Sequence, residues 1–232
     1  MDKVLIAAPT ADVKNYCLNE WYENVLSFNH PNTKVFLADN SKTNKNVKHL
    51  RSIGIESEWT EPNGSIISTM AKSHNACRDY AIRNNYTWWL HLETDVFPPS
   101  DIIEKLMCHN RGVVGAPYHS YEGIDRALVV QDSFEYSKGD GRFQVLSALN
   151  NYADSFLDGT LKKVYHIGLG CVLIHKSVFQ DIKFRSEKGV DLHPDSYFAT
   201  DCFSKGIGIY VATDTLCVHK NKAWGVHGVD YK

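Results

Sequence analysis

Trp88-Trp89-Leu90-His91-Leu92-Glu93-Thr94-Asp95-Val96-Phe97-Pro98-Pro99 decides how this chain folds. An apolar run reaches an acid-x-acid triplet and is stopped by two prolines, so it reads as a buried strand bounded by a turn. The carboxylates of Glu93 and Asp95 then fall at the carboxyl end of that strand, where open α/β sheets place their ligands. Oxygen ligands of this kind suit a hard divalent cation, and such a cation suits a diphosphate.

Working outward, strands and helices alternate. Lys3 to Ala8 reads as an apolar strand ended by Pro9-Thr10, and Asp12 to Phe28 as one helix with Val13, Tyr16, Cys17, Trp21 and Val25 in a stripe. Lys34 to Ala38 is a second buried strand, running into Asp39-Asn40-Ser41. A short helix (Val47 to Ile53), a short strand (Ile55 to Trp59) and a long helix (Ser65 to Arg83) precede the Thr87 to Leu92 strand. Ser100 reads as the N-cap of a helix through Cys108, and Gly112 to Pro117 as a further strand. This alternation predicts an α/β fold, a mainly parallel central sheet with helices on both faces.

The pattern loosens between Tyr118 and Lys163, a stretch expected to hold a hairpin and a mobile loop. Order returns over Val164 to Ile174, followed by helices at Lys176 to Ile182 and Asp195 to Lys205, a strand at Gly208 to Ala212, and Leu216 to His219. With no internal repeat or low-complexity linker, residues 1–232 read as a single domain.

At 43% hydrophobic and 22% charged, the composition is that of a globular protein and excludes bulk disorder. A net charge of −2 supplies no global field toward nucleic acid or anionic membrane. No apolar run approaches the roughly 20 residues of a spanning helix, and the N-terminus does not read as a signal peptide. The six cysteines (Cys17, Cys77, Cys108, Cys171, Cys202, Cys217) show no CxxC spacing, so free thiols in a cytoplasmic protein are expected.

In this order and spacing the segments resemble the GT-A fold glycosyltransferases, in particular the inverting family 2-like group. Four stretches carry the resemblance: Val35 to Ser41; His74 to Ala81 leading into Thr87 to Asp95; Gly168 to Ile174; and Asp195 to Phe198, followed by Gly206 and His219. Glu93 stands where the family has the first Asp of its DxD motif, Asn40 where a second Asp is usual, and Pro194 where a Glu is usual. The resemblance implies a Rossmann-like GT-A domain with a nucleotide-binding half of about residues 1–117 and an acceptor-side half of about 118–232.

It further implies transfer of a sugar from a nucleotide-diphosphate sugar, UDP-sugar favoured, to an acceptor hydroxyl with Mn²⁺ or Mg²⁺ as cofactor. Asp95 is the expected metal ligand, with His219 as a second. The donor is expected near Pro9, Asp39, Lys72, Asn75, Arg78, Glu93 and Thr94, Asp39 meeting the uracil or ribose. Asp195 is the expected base, with Asp201 as its rival. Bland readings stand beside these: solvated turn acids for Glu93 and Asp95, helix-start acids for Asp195 and Asp201, a structural His219, and a solvated helix face for Lys72 and Arg78. His74 and His91 either fill the core or, for His91, touch the donor, while Trp88-Trp89 reads as core.

The acceptor is left as a glycan, a protein or a hydroxylated DNA base. Tyr118, His119, Tyr121, Phe134 and Tyr136 are candidates to shape its pocket. The basic stretch from His219-Lys220-Asn221-Lys222 to His227 and Lys232 suits a phosphate backbone or a tail closing over the donor diphosphate. Two other classes compete. A nucleotidyltransferase would carry a Gly-rich basic loop after the first strand, which Ala7-Ala8-Pro9-Thr10-Ala11 lacks; a non-catalytic nucleotide-sugar-binding module would not need Asp95, Asp195 and His219.

Overall fold

The computed structural model describes residues 2–119, 130–131, 135–136, 143–144, 153–190 and 192–220. In chain order the elements are β1 (Val4–Thr10), a 3-10 turn (Asp12–Lys14), α1 (Leu18–Leu26), β2 (Thr33–Asp39), α2 (Lys45–Ser52), β3 (Glu56–Trp59), α3 (Ile66–Arg83), β4 (Trp88–Leu92) and β5 (Val96–Phe97). Next come α4 (Ile102–Met107), β6 (Val113–Gly115), β7 (Val130–Gln131), β8 (Glu135–Tyr136), β9 (Phe143–Gln144) and α5 (Ala153–Phe156). The chain continues with β10 (Leu161–Val164), β11 (His166–Ile167), β12 (Cys171–His175), α6 (Lys176–Phe179), α7 (Pro194–Ser204), β13 (Ile209–Ala212) and β14 (Val218–His219).

Eight strands form one sheet in the order β10-β13-β6-β12-β4-β1-β2-β3. The pairs β3–β2, β2–β1, β1–β4 and β6–β13 are parallel, while β12 runs antiparallel to both β4 and β6, and β10 antiparallel to β13. The sheet is therefore mostly parallel, as expected. From β1 the chain steps outward to β2 and β3, then returns to place β4 on the other side of β1. That reversal opens a crevice at the carboxyl ends of β1 and β4.

Successive side chains of a strand point to opposite faces, and here both faces are buried. Val4, Ile6, Leu37, Leu90 and Leu173 pack with Leu18, Trp21 and Val25 of α1, Leu50 of α2, and Ile102, Ile103 and Leu106 of α4. Leu5, Ala7, Phe36, Trp89, Val172 and Ile174 pack instead with Cys77 and Ala81 of α3, Val178 and Phe179 of α6, and Phe198, Ala199 and Cys202 of α7. Two cores thus sandwich the sheet, which explains why its strands read as unbroken apolar runs. All six cysteines are free thiols. Among the described residues no helix is long and apolar enough to cross a membrane.

Several local expectations need correction. Pro9 does not end β1 but lies inside it, opposite Ala38 of β2. Pairing with β4 stops at Ala7, so Pro9 sits where one flank of β1 is open and its missing N–H costs no ladder bond. The single helix expected over Asp12 to Phe28 is a three-residue 3-10 turn followed by α1. The N-cap of α4 is Asp101, not Ser100. Within the loosened stretch, β8 and β9 pair antiparallel, in keeping with a hairpin, and the unforeseen β10 forms a sheet edge. Tyr121 and Phe134, like the rest of the tail after Lys220, lie outside the described residues.

The long helix α3 begins at Ser65, whose hydroxyl accepts the N–H of Ser68 at 3.1 Å. Its inner face holds the segment after α6. Arg78 is buried and donates from Nε to Ile182 O (2.9 Å) and from Nη2 to Gln180 O (2.7 Å). Asn75 donates to Phe184 O (2.8 Å) and accepts from Phe184 N (3.0 Å). Truncating Arg78 strands those carbonyls, and charged hydrogen bonds of this kind are worth about 1.5–3 kcal/mol each. Arg78→Ala is expected to lower unfolding stability by about 2–4 kcal/mol; an unchanged urea midpoint would refute this bracing role.

Candidate active site

The crevice between β1 and β4 collects the polar residues. Glu93, Thr94 and Asp95 form the turn between β4 and β5, and Glu93 N is held by Gly170 O at 2.9 Å. Thr94 is buried, its hydroxyl 3.1 Å from that of Thr10 at the end of β1. Asp95 is 0% exposed, so its charge must be met from within the protein.

Lys14 and His219 meet it. Lys14, on the 3-10 turn after β1, lies 3.0 Å from Asp95 Oδ1 and 3.4 Å from Glu93 Oε2. His219 is brought over by β14, which pairs antiparallel with β5 so that His219 faces Val96. Its Nε2 lies 3.8 Å from Asp95 Oδ2, and its Nδ1–H donates to His119 O at 2.8 Å. That second bond leaves Nε2 to face the carboxylate. Burial alone would raise the Asp95 pKa, but Lys14 and His219 outweigh it and bring it down to about 2.

One ligand atom each from Glu93, Asp95 and His219 lies within 4.8 Å of the others. Asp95 Oδ2 is buried without a hydrogen-bond partner. An oxygen and a nitrogen 3.8 Å apart suit one ion bound to both at about 2.1 Å. The donor set therefore fits a divalent cation.

A second polar chain lies at the carboxyl end of β2. Asp39, the last residue of β2, accepts from Ser41 Oγ (2.6 Å) and Asn46 Nδ2 (2.9 Å), and Asn46 in turn accepts from Asn15 (2.9 Å). Burial nevertheless raises the Asp39 pKa. Its Oδ2, together with Asn15 Oδ1 and Thr60 Oγ1, is buried without a partner. These orphans, with Asp95 Oδ2, follow the carboxyl ends of β1 to β4. Buried polar atoms are nearly always paired, so these four are able to receive a polar ligand; Trp21 Nε1, Asn24 Oδ1 and both His166 ring nitrogens are unpartnered elsewhere.

Asp195, in the first turn of α7, accepts from Ser196 N at 2.8 Å, and its Oδ2 lies 3.6 Å from His166 Nε2. Burial would raise its pKa, but His166 and His193 hold it at about 2, so the group is a carboxylate at neutral pH. The rival Asp201 is gripped by Arg185 through two bonds of 3.0 Å, which leaves it structural.

The remaining candidates divide. Lys72 is exposed and donates to Glu61 O at 2.9 Å, while Asn75 and Arg78 have their polar groups committed to the segment after α6. Tyr118 is buried, its hydroxyl accepting from Gly170 N at 3.2 Å and its ring edge-on to His219. A Cβ on Gly170 would collide with that ring. Sequence reasoning missed Lys14, Asn46, Thr60 and His166; for Lys14 the helical stripe of Val13 and Tyr16 masked it.

His91 fills the sheet instead of reaching the crevice. Its Nδ1 donates to Leu169 O, and its Nε2 lies 3.0 Å from His74 Nδ1, with the His74 ring stacked on Phe184. Burial lowers the His74 pKa from 6.5 to about 4. The unfolded chain therefore binds a proton between pH 6.5 and 4 that the native state refuses, and stability falls as the pH drops through this window. His74 alone is expected to cost about 2 kcal/mol between pH 7 and pH 5. Urea titrations at both pH values check it: His74→Gln should flatten the loss, and an unaltered slope would refute the assignment.

No protein-family model and no curated protein matches this chain. Solved structures do. A197 from STIV is similar over 94% of this chain and 85% of its own, at 14% identity and a TM-score of 0.51. S. aureus TarS 1-349 in complex with UDP-GlcNAc matches over 96% of this chain and 61% of its own, at 13% identity and a TM-score of 0.57. The same TarS segment in complex with UDP matches over 93% and 60%, with the same identity and TM-score. This chain thus spans about three-fifths of that segment. At such identities the likeness speaks to the fold, which is α/β of the GT-A type.

Proposed function

We propose that the protein is a metal-dependent, inverting glycosyltransferase that moves a sugar from a nucleotide-diphosphate sugar to an acceptor hydroxyl. The observation that carries this reading is the row of buried, unpartnered polar atoms after β1 to β4, ending at a three-ligand cluster. Structural neighbours in complex with UDP-GlcNAc and with UDP favour a uridine donor.

In this reading the chain of Asp39, Asn46 and Asn15 receives the nucleoside, and Pro9 and Thr94 close the floor between β1 and β4. Asp95 and His219 would hold a Mn²⁺ or Mg²⁺ ion. When bound, such a cation offsets the charge that develops on a diphosphate leaving group. Glu93 reaches the donor ribose or a metal-bound water. Asp195, ionised at neutral pH, accepts the acceptor hydroxyl's proton as attack proceeds, and attack opposite the leaving group inverts the anomeric centre. The acceptor is a glycan, a protein or a hydroxylated DNA base. A steep fall of activity with added salt would identify the last of these.

Thermal unfolding with UDP, GDP, CDP, ADP and TDP, each with and without Mn²⁺, tests the donor and metal together. One diphosphate is expected to raise the melting temperature by about 5–10 °C at a hundredfold excess over its Kd. The shift should require both Mn²⁺ and Asp95, vanishing in Asp95→Ala. Asp195→Asn should keep the shift yet lose at least about 100-fold in turnover. Absence of any nucleotide-dependent shift would overturn the reading.

A further inference from the structure

We infer that Lys14 is an exchangeable internal cation of the donor site: it neutralises Glu93 and Asp95 until a divalent ion arrives, then moves to the donor's diphosphate. The inference rests on the metal and donor reading above and adds a residue and a binding order to it. Its basis is geometric. The Lys14 ammonium lies 3.0 Å from Asp95 and 3.4 Å from Glu93, the two acids of the three-ligand cluster, and its side chain is only 12% exposed. A cation ligated by these same groups would sit within a few ångströms of the ammonium, with little water between to screen the repulsion. Lys14 and a metal held at Asp95 and His219 beside Glu93 therefore disfavour one another in this arrangement.

The position of Lys14 gives it an alternative partner. The turn Asp12–Lys14 follows β1 at the crevice where the chain reverses direction, and Asp12 N is pinned to Ser41 Oγ at 2.8 Å. The backbone of the turn is thus anchored beside the Asp39 chain, while the lysine stem, four methylenes long, has the rotatable bonds to reposition its ammonium. Diphosphates bind at such crevices, so the ammonium can trade two carboxylate contacts for phosphate oxygens without the turn moving. The consequence is coupled binding: the ion alone must evict Lys14 from its partners, whereas ion and diphosphate together supply a new anion for it.

Electron paramagnetic resonance of free Mn²⁺, titrated with the full chain in the presence and absence of UDP, reads this directly and needs no turnover. Lys14→Met, and Lys14→Gln as a variant that retains a neutral donor, are expected to bind Mn²⁺ alone at least tenfold more tightly than the unaltered protein. Lys14→Arg should stay within about threefold of it. The factor by which UDP enhances Mn²⁺ affinity should shrink at least tenfold in the Met and Gln variants. Equal or weaker Mn²⁺ binding in both neutral variants, or an undiminished UDP enhancement, would overturn the role of Lys14 alone. Were the unaltered protein to bind no Mn²⁺ that Asp95→Ala abolishes, even with UDP, the metal reading itself would fall and this inference with it.

Discussion

β4 has neither a free edge nor a free face. It pairs with β1 on one side and β12 on the other, and its five residues are buried between two helical layers. A strand confined in this way cannot slip by a residue without turning Leu90 and Trp89 into the wrong cores, so its register is fixed by packing. Because the register is fixed, the turn that follows is fixed too, and Glu93, Thr94 and Asp95 emerge at one defined height above the sheet. Every other polar group of the site is placed relative to that turn: Thr10 from β1, Lys14 from the turn beyond it, and His219 through β14 laid against β5.

The histidines and the arginine under the crevice serve the same rigidity by different means. His74 and His91 form a neutral pair that satisfies Leu169 O inside the core, and Arg78 and Asn75 pin the chain after α6. These polar side chains are interior, yet their bonds run to backbone atoms far away in sequence. They hold α3 to β4 and to the segment leading toward α7, and so fix the separation between Asp195 and the acidic turn. The first polar layer lines the crevice; the second faces only the protein.

The strands were legible because burial on both faces leaves an uninterrupted apolar run, as in Val4 to Ala8 and Trp88 to Leu92. The acidic turn was legible because two prolines follow it. Less could be read where an element is too short to show a period: β5 and β14 have two residues each, and only the resemblance placed His219 near Asp95. The exposed residues Val13 and Tyr16 mimicked a helical stripe and hid the 3-10 turn that presents Lys14. The bonds of Arg78 and Asn75 to the chain after α6 were not legible, since their partners, Ile182 and Phe184, lie 104 and 109 residues away. Spacing along a helix reports which residues share a face, not what the opposing face already offers.

The strap formed by Lys220 also has a kinetic meaning. Its ammonium pairs with Glu20 and lies over the Phe97 ring, and its carbonyl accepts from Tyr16 across 204 positions of sequence. Closing a loop that long costs entropy which so small a set of contacts cannot repay until the sheet already holds both ends near one another. The contacts of Lys220 therefore depend on the sheet that already brings β5 and β14 together.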